Sequence, residues 1–154
     1  MKARTIALPV LLALLGAGLC SAADPQLGTW KLNEAKSKIP VGAPKNTTVT
    51  YEPAGDSVKI SVDGVDGDGK PLHSEWTGKF DGKDYAVTGD ASSDKRSYRK
   101  MNDHTLAFTN KNGTKIVNSG RVVVAADGKS RTVTQTGTDS KGRKFSSTAI
   151  YDKQ

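Results

Sequence analysis

The feature that most constrains this chain is its punctuation. From Gly28 onward, short runs of alternating apolar and polar residues are broken about every 8 to 16 residues by Gly, Asp and Asn, a spacing that selects an all-β sandwich or barrel. Asp68-Gly69, Asp81-Gly82, Asn112-Gly113 and Asp127-Gly128 each fall between two such runs. These pairs accept the positive φ angles that tight hairpins demand, so consecutive strands are expected to pair in chain order as an antiparallel meander. The predicted strands are Thr29–Asn33, Thr47–Glu52, Ser57–Val62, Leu72–Phe80, Tyr85–Thr88, Arg96–Met101, Thr105–Thr109, Lys115–Val124, Arg131–Thr138 and Phe145–Tyr151. Val58, Ile60 and Val62 alternate cleanly with Lys59 and Ser61, and Leu72, Trp76 and Phe80 share a face opposite His73, Glu75, Thr77 and Lys79. Lys38 to Lys45, with Pro40, Gly42 and Pro44, predicts a loop, and Asn33-Glu34-Ala35-Lys36 at most one helical turn.

A meander of ten short strands exposes two sheet edges, and closure is the simplest way to remove them. The expectation is therefore a small up-and-down barrel of about 8–10 strands rather than an open sheet. Interior glycines such as Gly78 and Gly120 mark either a bend or a close approach of the chain, as barrel corners need. The three Asp-Gly-Lys turns start at residues 68, 81 and 127, too unevenly for propeller blades.

The N-terminus follows a different rule. Met1-Lys2-Ala3-Arg4 is positive, Thr5 to Leu15 is apolar, and Gly16 to Ala23 is mostly small residues ahead of Asp24-Pro25. That order is the secretory signal pattern, and the apolar run is too short for the roughly 20 helical residues that span a bilayer. Residues 1–23 are read as a signal peptide cleaved after Ala22 or Ala23, and residues 24–154 as a single barrel domain, periplasmic or secreted, with no integral membrane segment. Cys20 opens the alternative of a lipoprotein, but Leu19 precedes it where that pattern favours a small residue. Cleavage after Ala22 or Ala23 leaves no cysteine, hence no disulfide, thiol nucleophile or thiolate-bound metal.

The mature chain then carries 21 basic and 16 acidic side chains, net +5, scattered among turns such as Asp81-Gly82-Lys83. A nucleic-acid face would concentrate Lys and Arg on one element, so the charge reads as solvated surface and no nucleic-acid partner is expected.

At Gly28-Thr29-Trp30-Lys31-Leu32-Asn33, followed by Ala35-Lys36-Ser37-Lys38, the chain resembles a group of uncharacterised secreted bacterial proteins described as lipocalin-like. Similarity of style continues through Val49-Thr50-Tyr51-Glu52-Pro53, Val62 to Asp66 and Ala149-Ile150-Tyr151. The Gly28-x-Trp30 element also resembles the first lipocalin signature, in which the tryptophan crosses the closed base of the barrel beneath a basic side chain of the last strand. No arginine lies inside the last predicted strand, though Arg143 and Lys153 flank it, and no Thr-Asp-Tyr-like element occurs near the middle hairpins. The resemblance implies a calycin-type, lipocalin-like barrel with a ligand-binding or envelope role, and supplies no catalytic residues.

Candidate chemistry is sparse. His73 and His104 are the only histidines, and their exposed-type neighbours read them as surface residues rather than metal ligands. No serine sits in a Gly-x-Ser-x-Gly turn, so hydrolase chemistry has no nucleophile to offer. Asp63 to Gly69 invites a calcium reading, but an EF-hand begun at Asp66 would place Lys70 at the fifth position and Thr77 at the twelfth, so a polar hairpin turn is preferred. Aromatic residues of a small barrel fill its interior or line a pocket for one small ligand. Trp76, Phe80 and Tyr98 are the candidate pocket wall, because Ser74 and Gly78 on the same face leave space beside them; filling the core is the competing role.

The functional expectation is thus an exported, non-enzymatic barrel that binds a small apolar or amphiphilic molecule, without cofactor or metal. The alternative is a structural or interaction protein of the cell envelope with a filled barrel and basic loops contacting anionic partners. A barrel-hosted isomerase or cyclase ranks third, for want of an acid–base pair.

Overall fold

A computed structural model of the chain describes residues 24–139 and 141–154. The signal-peptide and Cys20 expectations lie outside the described residues.

The described residues form ten strands: β1 Gly28–Leu32, β2 Lys45–Ala54, β3 Ser57–Val65, β4 Pro71–Gly78, β5 Tyr85–Thr88, β6 Lys95–Asn102, β7 Thr105–Asn112, β8 Lys115–Val124, β9 Ser130–Thr138 and β10 Lys144–Lys153. Every strand pairs with its neighbour in sequence, and β1 also pairs with β10, so the sheet is a closed antiparallel barrel. Closure rests on a short seam in which Trp30 lies opposite Val49 of β2 on one side and Lys153 of β10 on the other. The predicted loop between β1 and β2 is present, preceded by a single 3-10 turn at Glu34–Lys36 that Asn33 caps by accepting the Lys36 N–H. Phe80 falls just past the end of β4, in the connection to β5, rather than inside the predicted strand.

Alternation along the strands sends one set of side chains inward. Trp30, Val49, Tyr51, Ile60, Val62, Trp76, Val87, Tyr98, Leu106, Phe108, Val122, Val124, Ala149 and Tyr151 form one buried cluster. Gly78 and Gly120 prove to be close approaches. A Cβ on Gly78 would come within 2.6 Å of both the Trp76 and Tyr85 rings, and one on Gly120 within 2.8 Å of Phe108. Both are places where an aromatic ring lies directly on the backbone.

Up-and-down connectivity divides the loops between two ends. The base gathers the β2–β3, β4–β5, β6–β7 and β8–β9 turns with the segment before β1. The mouth gathers the β1–β2 loop and the β3–β4, β5–β6, β7–β8 and β9–β10 turns.

Candidate functional site

At the base, Trp30 is fully buried and its indole N–H donates to the Gln26 carbonyl at 2.9 Å. Arg131 of β9 lies over it, its guanidinium carbon 4.7 Å from the Trp30 ring, 4.8 Å from Tyr51 and 5.0 Å from Tyr151. Lys153 approaches the same tryptophan at 5.1 Å. Of the two cations that flank the last predicted strand, Lys153 covers Trp30, whereas Arg143 sits at the opposite end of the barrel. The main cover, Arg131, comes from the penultimate strand. Sequence held one signal for it: Arg131 shares its alternation phase with Val133, an inward position. Burial raises the Tyr51 phenol well above its usual range. It pushes Tyr151 up to about 12, with nearby Arg131 pulling the other way.

Above the base, the three expected pocket residues do come together. Trp76 stacks on Phe80 at 6.3 Å between centroids, Tyr98 meets Trp76 edge-on at 4.9 Å, and Phe80 and Tyr98 are 5.8 Å apart. The space expected beside Gly78 is filled by Tyr85, which packs edge-on to Trp76 at 5.7 Å. These rings therefore pack the lower interior and do not border the cavity at the mouth.

That cavity has a volume of about 790 Å³ and opens to solvent. Leu72, Ile116, Val117 and Phe145 give it apolar walls, and Asn118, Ser92, Lys115, Lys141 and Arg143 add polar ones. Two of its acids, Asp66 and Asp139, are occupied by their own loops. Asp66 Oδ1 accepts the Asp68 and Lys70 N–H groups, both at 2.9 Å. Asp139 repeats the device with Lys141 and Arg143, and its Oδ2 accepts the Arg143 Nε–H at 2.8 Å. The Asp66 geometry explains why the calcium-like run is a turn: its carboxylate is spent on the hairpin. Among the described residues no group of three metal-type side chains gathers.

Below the cavity lies a polar layer. Arg96, buried on β6, donates from Nε to Asn110 Oδ1 at 2.5 Å and from a terminal nitrogen to Asp90 Oδ2 at 3.3 Å. Asn110 donates on to Asn118, which faces the cavity. Burial works against the Asp90 charge. Hydrogen bonds from Ser92 and Ser93 and the Arg96 charge outweigh it and hold the carboxyl below its usual range. The Trp76 indole N–H donates to the Arg96 carbonyl at 2.9 Å, tying this layer to the aromatic interior.

The histidines differ from each other. His73 is exposed on the outer wall, with Nδ1 2.7 Å from Asp63. His104 corrects the surface reading: it is half-buried at the base, its Nδ1 is enclosed without a hydrogen-bond partner, and its carbonyl accepts from Gln26 Nε2 and the Val124 N–H. Packing of the segment before β1 against the β6–β7 turn encloses it, a contact that neighbouring residue types do not disclose.

Fold and site together define a closed ten-stranded antiparallel barrel, plugged at one end and open at the other. Among solved structures it is similar to designed barrels. One, described as EF1p2_mFAP2b bound to DFHBI, shares 15% identity at a TM-score of 0.48 over 86% of this chain and 97% of that one. The redesigned barrel mFAP1, bound to DFHBI, shares 18% identity at a TM-score of 0.45 over 86% and 98%. The redesigned barrel b11L5F_LGL shares 14% at 0.45 over 88% and 97%. No protein-family model matches the chain, and no curated protein matches it significantly.

Proposed function

We propose that this is a lipocalin-like carrier that binds one small apolar or amphiphilic molecule in the mouth of its barrel, by association rather than catalysis. The carrying observation is the mouth cavity. At about 790 Å³ it falls in the range of roughly 300–1,000 Å³ typical of small-molecule sites, and it pairs apolar walls with a few placed polar groups. A ten-stranded barrel is wider than its side chains need fill. Here Trp30, Tyr51, Trp76, Phe80, Tyr85 and Tyr98 pack the lower interior and leave the upper part open. Leu72, Val117 and Phe145 would hold the apolar body of the ligand, and Asn118 with Lys115 and Lys141 its polar end.

Native mass spectrometry of the protein purified from its own host tests this reading. A non-covalent adduct lost on denaturation is expected, together with a rise in melting temperature when the same compound is added back. A bare mass, with no rise across fatty acids, phenolics and porphyrins, overturns it.

We also propose that the chain is exported, on the positive, apolar and small order of residues 1–23. The denatured mass of the same sample should correspond to a chain beginning at Ala23 or Asp24. Recovery of the intact N-terminus refutes export by this route.

A further inference from the structure

We propose that the mouth end of the barrel docks on an anionic lipid bilayer. Two observations on this end coincide. The first is exposed aliphatic surface, more exposed here than at the base, where Val123 is 42% and Met101 46% exposed. Val41, at the tip of the β1–β2 loop, is fully exposed at 102%, and Ile116 on β8 is 57% exposed. Neither position requires an apolar residue. Val41 occupies a turn closed by the backbone bond from the Ala43 N–H to the Pro40 carbonyl. Ile116 is taken out of the inward series of Asn118, Gly120 and Val122 by a register shift at Val117. The two lie on one rim: Ile116 and Arg143 border the large cavity, and Val41, Arg143 and Phe145 border a smaller one beside it.

The second observation is charge. The mouth segments 33–45, 66–70, 89–95, 111–115 and 139–144 hold ten lysines and arginines against six acids. The base segments 24–28, 52–57, 79–84, 100–104, 125–130 and 152–154 hold five against eight. The molecule is thus polarised along the barrel axis. An anionic surface attracts the mouth and repels the base, which fixes the approach with the cavity facing the bilayer. Aliphatic tips among lysines suit the bilayer interface, where apolar insertion and headgroup attraction act together. A soluble anionic polymer would make no use of Val41 and Ile116. The inference does not depend on the cavity being occupied.

Vesicle sedimentation of the full protein decides it. Binding is expected to phosphatidylcholine vesicles containing about 30 mol% phosphatidylglycerol and not to phosphatidylcholine alone, with release between about 50 mM and about 500 mM salt. Val41→Asp and Ile116→Asp should each weaken binding by about tenfold. Lys115→Glu with Lys141→Glu should abolish it, while Lys83→Glu with Lys129→Glu at the base leaves it unchanged or tighter. All six positions are exposed, so melting temperatures should stay at the wild-type value. The proposal is overturned by equal binding to neutral vesicles, by no binding to either, or by equal loss from mouth and base reversals. A Val41→Asp-sensitive dimer in analytical ultracentrifugation would assign the surface to a second copy. Salt-sensitive capture by dextran sulfate that ignores Val41→Asp would assign it to charge alone.

Discussion

The barrel buries two arginines by opposite means. Arg131, at the base, is 2% exposed and is held against three aromatic rings, with its Nε and one terminal nitrogen lacking hydrogen-bond partners and no carboxylate within 4.0 Å among the described residues. Arg96, under the mouth, is 7% exposed and is held by the Asp90 carboxylate and by Asn110. A guanidinium tolerates the first setting because its flat, weakly hydrated face stacks on π systems, and the second because charge and hydrogen bonds compensate desolvation. The difference divides the molecule. The base spends its side chains on closing the barrel, whereas the mouth keeps its polar groups bonded to one another and leaves an open volume above them.

The largest effects should come from the base. Trp30→Ala removes the ring on which Arg131 and Lys153 rest and strands the Gln26 carbonyl, so a loss of about 3–5 kcal/mol in denaturant unfolding is expected. A loss under about 1 kcal/mol would mean that closure does not rest on the Trp30 plug.

The arginines themselves give the next test. Arg96→Met leaves the part-buried Asp90 carboxylate without its cation and should cost about 3 kcal/mol at neutral pH. Arg131→Met strands no acid and should leave stability within about 1 kcal/mol of wild type, or raise it. Equal costs would erase the distinction between the two ends. Acid sharpens it further. Asp90 titrates below the ordinary carboxyl value of 3.8, so its contribution is present above that pH and disappears as pH falls through its lower folded value. The Arg96→Met penalty should therefore shrink in acid, while Arg131→Met behaves alike at both pH values.

Alkali should act most strongly on the base. Tyr151 titrates at about 12 in the fold against an ordinary 10.0. The neutral phenol is favoured in the folded state, so this stability is complete below pH 10 and is lost as pH rises toward 12. Tyr151 alone should contribute a fall on the order of 2 kcal/mol over that window, and Tyr151→Phe should make the slope shallower, leaving the part that the raised Tyr51 phenol contributes. An unchanged slope in the variant would remove Tyr151 as the cause.

These contrasts were unequally legible in the sequence. The ten strands were readable because Asp-Gly and Asn-Gly turns separate short alternating runs, and each observed strand lies within a few residues of its expected place. Gly28 and Trp30 were readable as the start of the closing strand. Arg131 was not, because a run that opens on Arg before Thr132 and Val133 looks like a strand entry, and only closure turns its side chain onto Trp30. The grouping of Trp76, Phe80 and Tyr98 followed from face and spacing; that Tyr85 fills the gap beside Gly78 depends on how β4 and β5 pack. The mouth was least legible. Its walls come from five connections that meet only in the closed barrel, and the register shift at Val117 reverses the side on which Ile116 falls.

The smallest expected effect on stability carries the most about function. Phe145 lines the mouth cavity and is only half-buried, so Phe145→Ala should cost about 1 kcal/mol, well below the 3–5 kcal/mol typical of a buried aromatic ring. Yet its ring forms one wall of the volume assigned to the ligand. The same substitution should remove most of the rise in melting temperature that a bound compound confers, because that rise follows affinity through mass action. Trp30→Ala should do the reverse, lowering the melting temperature of the free protein while leaving the ligand-induced rise nearly intact. If Phe145→Ala lowers stability as much as Trp30→Ala does and spares the rise, Phe145 is a core residue. The volume above it would then be a solvent-filled rim rather than a binding site.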